Sequence, residues 1–247
     1  MGVEPHVETL PTKLGQAVRH IELHPKMSLS DVILGGQDGL VNVLGVVLGV
    51  AAASSDLRIV IAGGLAATFA ESISMGAVAY TSTLADRDFY LSEIEREKRH
   101  IRDQPEAERQ EIEAIFAGWG LEGELLNRTV EQVMKNETAW VDVMMANELK
   151  LSPVNSGSAL RSAVIVGIAA IVGSLIPLAP FFFLPIATSA IISITLTAVT
   201  LFIIGAYKAR TTVGRPGRSG LQMAAIGTIS ALAGYLVGAL FSAPATP

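Results

Sequence analysis

The sequence predicts an all-α polytopic membrane protein: five transmembrane helices, with a cytoplasmic helical insert between the second and third. Three observations carry this. Half of the 247 residues are hydrophobic and 17 % are charged, where about a quarter is usual in soluble domains. The charge is concentrated in one place. Residues 85–157 hold 16 of the 23 acidic and nine of the 18 basic residues, a net of −7, against +2 for the remainder. Finally, five stretches are long and apolar enough to cross a hydrocarbon core, which takes roughly 20 helical residues. Helices are the natural reading of such stretches, because lipid offers backbone groups no other partner. The chain has no cysteine, which excludes disulfides and thiolate metal sites.

Residues 1–30 read as an N-terminal tail without an apolar h-region, so a cleaved signal peptide is not expected. Residues 31–84 hold the first two spans: 32–53, with Asp38 as its one charge, and 59–84, with Glu71 as its one charge. The acidic domain, 85–157, opens with "ADRDFYLSEIEREKRHIR", which continues the second span without a break. A long helix should therefore project from the membrane. Gln104 and Pro105 mark a turn and a fresh start. "EAERQEIEAIFAG" predicts a second insert helix ending at Gly118 and "LEGELLNRTVEQVMK" a third. "NETAWVDVMMANELKLS" predicts a fourth, stopped before Pro153. Residues 158–242 supply three charge-free spans at 162–179, about 183–207 and 221–242, and 243–247 form a short tail. The third and fourth spans are joined by "IPLAPFFFLP", whose Pro177, Pro180 and Pro185 break a helix and allow a short hairpin.

Loop charge sets the direction. Lys13, Arg19 and Lys26 precede the first span, and Lys208, Arg210, Arg215 and Arg218 follow the fourth. The "SSDLR" loop has one arginine; the hairpin and the C-terminal tail have no basic residue. The N-terminus, the acidic insert and the 208–220 loop are thus expected in the cytoplasm, with the C-terminus opposite. The same rule accounts for the basic "KARTTVGRPGR" loop without a nucleic-acid partner.

Polar groups at bilayer depth are costly, and they mark bundle interiors or aqueous paths. Ser74 and Met75 share the face of Glu71. The first span offers a matching stripe of Asp38, Asn42, Gly45 and Gly49. Neither span contains Lys or Arg, so protons or a cation must supply the counter-charge. Gly45 and Gly49, Ser72 and Gly76, and Gly234 and Gly238 each repeat at four residues, a spacing that permits close helix approach. It suits intramolecular packing as well as a dimer face.

In the insert, Glu97 and His100 are three apart, as are Glu108 and Glu111, and Met144 and Met145 precede Glu148 by four and three. Each pair alone is common on solvated helices or in cores. Together they offer carboxylate, imidazole and thioether donors, a set that suits Fe2+, with Mn2+, Co2+ or Zn2+ as further candidates. Di-iron bundles need the Glu-x-x-His motif twice. Here it occurs once, with His6, His20 and His24 elsewhere, which disfavours an oxidase or ferritin module. No nucleophile–base pair and no phosphate-cradling loop points to an enzyme, and no resident cofactor is expected.

"DVILGGQDGLVNVLGVVLGV", "AESISMGAVAY", the charged insert ending "WVDVMMANELKL", and "RSGLQMAAIGTISALAGYLVGAL" together resemble the vacuolar iron transporter family over about residues 28–242. The order of elements matches as well. The resemblance implies export of Fe2+, sometimes Mn2+, from the cytosol in exchange for protons, by a homodimer whose pathway runs between the subunits. It implies that Asp38 and Met75 line that pathway, and that Glu97, Glu108, Glu111, Met144, Met145 and Glu148 are metal ligands. Two departures stand out. Plant members carry the second-span glutamate about two turns before the methionine, where this chain has Ala67, and the acid is Glu71, about 5.4 Å further along. His100 stands where the family's first Glu-x-x-Glu pair has its second glutamate.

The combined expectation is a proton-coupled exporter of a divalent transition metal, foremost Fe2+. It would collect metal on Glu97, His100, Glu108, Glu111, Met144, Met145 and Glu148, and pass it along Asp38, Asn42, Glu71 and Met75. The methionines favour it over Ca2+ and Mg2+. A prokaryotic plasma membrane or a vacuolar membrane suits the topology. The competing classes are a membrane-anchored metal sensor or buffer, and a proton-coupled transporter of another solute. Asp38 and Glu71 speak against the first, since an anchor has no need of them, and the methionine cluster against the second.

Overall fold

The computed structural model describes residues 29–154 and 156–242. The two tails, with Lys13, Arg19, Lys26, His6, His20 and His24, lie outside the described residues. Among the described residues there are eight α-helices and no strand. These are α1 (Leu29–Ala53), α2 (Leu57–Asp103), α3 (Pro105–Gly118), α4 (Gly123–Met134), α5 (Glu137–Asn147), α6 (Ser156–Leu178), α7 (Ile186–Thr211) and α8 (Pro216–Leu240). Five of them, α1, α2, α6, α7 and α8, are long and apolar enough to cross a membrane.

Close backbone approach holds the bundle together. Helix α1 packs on α6 and α8 most extensively, and also touches α2 and α7. A Cβ on Gly35 or Gly39 would strike the backbone carbonyl of Val166 or Ala170 on α6, and one on Gly234 or Gly238 would strike the carbonyl of Gly45 or Gly49. The small-residue stripe of α1 is therefore spent on α8 within the same chain. Gly76 of α2 lies against Ala163 of α6 in the same manner. Small residues suit these seams because helices in lipid gain little from burying apolar surface and associate by tight packing. Large apolar side chains such as Ile73, Ile191 and Phe183 stay on the outer surface, the expected lining of a lipid-facing wall.

The proline-rich connection is tighter than a plain hairpin. Pro177 sits within the last turn of α6, residues Ala179–Phe182 form a 3-10 turn, and Pro185 caps α7. Serine hydroxyls add partners for the carbonyls of this connection, among them Pro180, which also accepts from the Phe183 and Leu184 N–H groups. Ser193 donates to the Pro177 carbonyl at 2.6 Å, and Ser189 donates to those of Pro180 and Leu184 at 3.1 and 3.0 Å. Such partners are required where no water can supply them.

Helix α2 runs 47 residues without interruption, about 70 Å at 1.5 Å per residue. Asp56 caps its start by accepting from the Arg58 N–H at 2.8 Å. Its first half belongs to the bundle and its charged second half carries the insert. There α3, α4 and α5 close around an apolar core of Ile101, Ile112, Phe116, Val130, Trp140, Val141, Met144 and Met145. Gly120 (φ 89°) and Gly123 (φ 58°) turn the chain from α3 to α4, in a region that L side chains rarely adopt. Helix α5 stops at Asn147, short of the reach to Pro153 that the sequence predicts. Lys150 takes a positive φ of 53°, and the Leu151 N–H closes back on the Met145 carbonyl at 2.9 Å. Glu148 thus caps the helix rather than riding on it.

Candidate functional site

Two polar clusters stand out, both on α2. The first lies within the bundle. Asn42 of α1 donates from Nδ2 to Glu71 Oε1 at 3.0 Å, and the Asp38 carboxyl, one turn earlier on α1, is close enough to Glu71 for the two charges to interact. The antiparallel run of α1 and α2 across a three-residue loop brings these positions level. Glu71 is the fifteenth residue of α2, about 21 Å from its start, and so well inside the span. Its Oε2 is buried without a hydrogen-bond partner among the described residues. Met75 is half-buried one turn further along. Asn42 is exposed on the outer face of α1 in the single chain.

The second cluster lies in the insert. Donor atoms of Glu97 and His100, from α2, and Glu108, from α3, all fall within 4.8 Å of one another. Ligands about 2.1 Å from a shared ion stand no more than about 4.2 Å apart, so these side chains need close by only about half an ångström to hold one. The sharp turn at Gln104 brings the two helices together. Glu97 and Glu108 are 2 % and 4 % exposed, and each keeps a buried Oε2 without a hydrogen-bond partner among the described residues. His100 Nδ1 lies 3.4 Å from Glu108 Oε1. Glu111, one turn beyond Glu108, lies close enough to Glu148 for the two carboxyl groups to repel.

Burial and crowding shape the acids of α3 and α5. Burial pushes the Glu108 carboxyl above its usual range, the charges of Glu111 and Glu97 push the same way, and His100 pulls it back. Burial and then the charges of Glu111 and Glu97 push Glu148 up to about 7. Met144 and Met145 are buried in the insert's apolar core, at the end of α5 that carries Glu148. The fold therefore gathers Glu97, His100, Glu108, Glu111 and Glu148, with the two methionines at the base of the same element.

Sequence comparison matches residues 29–239, both clusters included, to the VIT family. The chain belongs to the VIT family. Among similar VIT proteins are vacuolar iron transporter 1 of Tulipa gesneriana, 37 % identical over 206 residues, 83 % of each chain; that of Arabidopsis thaliana, 34 % identical over 238 residues, 95 % of this chain and 93 % of the relative; and the vacuolar iron transporter of Plasmodium falciparum, 31 % identical over 232 residues, 89 % and 85 %. Membership and five apolar helices make this VIT chain an integral membrane protein.

Two residues beside the VIT insert cluster went unnoticed in the sequence. Glu93, one turn before Glu97, is buried, and Arg96 lies against both. The i, i+4 spacing of Glu93 and Glu97 was the available signal. In a segment this acidic it reads as one more solvated pair until the packing of the insert around α2 is known.

Proposed function

We propose that this VIT protein is a metal transporter that exports Fe2+ from the cytosol in exchange for protons. The single observation that carries the reading is the Asn42–Glu71 hydrogen bond at bilayer depth, with the Asp38 carboxyl beside it, on two spans that contain no basic side chain. Two carboxyl groups this close repel when both are ionised, and either a proton or a metal cation between them removes the repulsion. A site that accepts one or the other exchanges them. The relatives' name, vacuolar iron transporter, supports iron as cargo. The oxygen, nitrogen and thioether donors of the insert suit Fe2+ and extend to Mn2+, Co2+ and Zn2+.

In sequence, the insert collects Fe2+ on Glu97, His100 and Glu108, with Glu111, Glu148, Met144 and Met145 completing the donor set. The ion passes to Asp38, Glu71 and Met75. Protons arriving from the far side neutralise these carboxylates and release it. The two stations are 26 residues apart on α2, about 39 Å along a straight helix, so the insert concentrates metal outside the membrane. The cytoplasmic side of the insert follows from the basic residues after α7. The protein works as a homodimer. The outward exposure of Asn42 in the single chain supports this, since an amide at that depth calls for a covering partner.

The test is Fe2+ flux into sealed proteoliposomes, alongside metal binding, for wild type, Glu71→Gln and Glu97→Gln/Glu108→Gln. An exporter keeps binding and loses flux in Glu71→Gln, and loses high-affinity binding in the insert variant. Binding without flux in wild type makes the protein a sensor or buffer. Neither binding nor flux makes it a transporter of another solute.

A further inference from the structure

We propose that Glu93 and Arg96 form a charge latch that sets the metal affinity of the insert: Glu93 holds the Arg96 guanidinium aside, and a released Arg96 pairs with Glu97 and competes with the ion. The inference rests on reading Glu97, His100 and Glu108 as the metal site.

Arg96 Nη2 contacts Glu93 Oε2 and lies 3.9 Å from Glu97 Oε1. Glu93, Arg96, Glu97 and His100 fall at spacings of three, four and seven along α2, so they share one face of the helix. Glu93 is 7 % exposed, and a buried carboxylate needs a partner. Arg96 is its ion-pair partner. Glu97 Oε2 and Arg96 Nε are both buried without a hydrogen-bond partner among the described residues. The guanidinium and the neighbouring acid thus each retain unused bonding capacity. Arginine stays charged at all working pH values. A fixed cation this near a ligand carboxylate repels a divalent ion and attracts the carboxylate that should bind it. Arg96 already stands at the outer limit of an ion pair with Glu97, and in the proposed latch the shorter contact to Glu93 is what limits that pairing.

The experiment is Co2+ titration of the full-length protein in detergent, followed by d–d absorbance, at one near-neutral pH and fixed salt. Arg96 is 42 % exposed, so effects are those of a partly screened pair, about fivefold. Arg96→Gln should bind Co2+ about fivefold tighter and Arg96→Lys should keep wild-type affinity. Arg96→Met, which keeps the aliphatic stem without the charge, replaces Arg96→Gln should that variant not fold. Glu93→Gln should bind about fivefold more weakly, and Glu93→Gln/Arg96→Gln should recover to wild-type affinity or better. Recovery in the double variant is the decisive result. A double variant as weak as Glu93→Gln would make Glu93 a ligand and overturn the latch. So would an Arg96→Gln variant that binds no tighter than wild type. Wild type that binds no Co2+ overturns the metal-site reading and the latch with it, an outcome distinct from failure of the latch alone.

Discussion

Asn42 and Glu71 belong to separate helices and meet through one hydrogen bond of 3.0 Å. A hydrogen bond to a charged group contributes about 1.5–3 kcal/mol, so Asn42→Ala should lower Fe2+ flux by about tenfold in vesicles while leaving insert binding intact. The acids of the insert give a pH dependence of known sign. Glu108 and Glu148 ionise at higher pH in the folded chain than in the unfolded one, Glu148 near 7 against an ordinary 4.5. The folded state therefore holds the extra protons. The stability they give is full below about pH 4.5 and is lost as pH rises through about 7. With a chelator present, thermal unfolding of the insert should move to lower temperature across that window. Added Mn2+ should restore it at the alkaline end, because the metal replaces the protons. A metal-free unfolding temperature that rises across the window would contradict the assignment. Asp38 and Glu71 were legible in the sequence because charge in an apolar run is rare. Glu93 and Arg96 were not, because charge in an acidic run is common and only the folded insert shows Glu93 to be buried.

At the scale of elements, the five spans and the unbroken α2 could be read from hydropathy and the absence of breakers. Span ends moved by several residues, since polar residues continue α1, α7 and α8 beyond their apolar windows. The end of α5 could not be read: nothing in "NELKLS" announces that Lys150 adopts a positive φ. Nor could spacing alone say which partner a glycine stripe meets. Gly45 and Gly49 meet Gly234 and Gly238 of the same chain. Gly234→Ala should therefore overpack α1 against α8 and cost about 1–3 kcal/mol, seen as a lower unfolding temperature in detergent. Gly63→Ala, whose Cβ would stand 3.5 Å from Val50 Cγ2, should be tolerated. Ser193→Ala should cost about 1 kcal/mol by orphaning the Pro177 carbonyl.

Over the whole molecule, two acidic clusters on one long helix divide the work. The insert offers a crowded, partly protonated set of donors outside the membrane. The bundle offers a small pair of carboxyls inside it, and on the proposed function a proton or a metal ion would satisfy either cluster. Exchange of one for the other is the central claim. Its most direct test is to load Fe2+ outside proteoliposomes with an acidic interior and record luminal pH and luminal iron together. Coupled exchange requires that iron influx discharges the internal acid, that abolishing the pH gradient slows iron influx, and that both movements vanish in Glu71→Gln. Iron influx that leaves luminal pH unchanged, or that persists in Glu71→Gln, would contradict it.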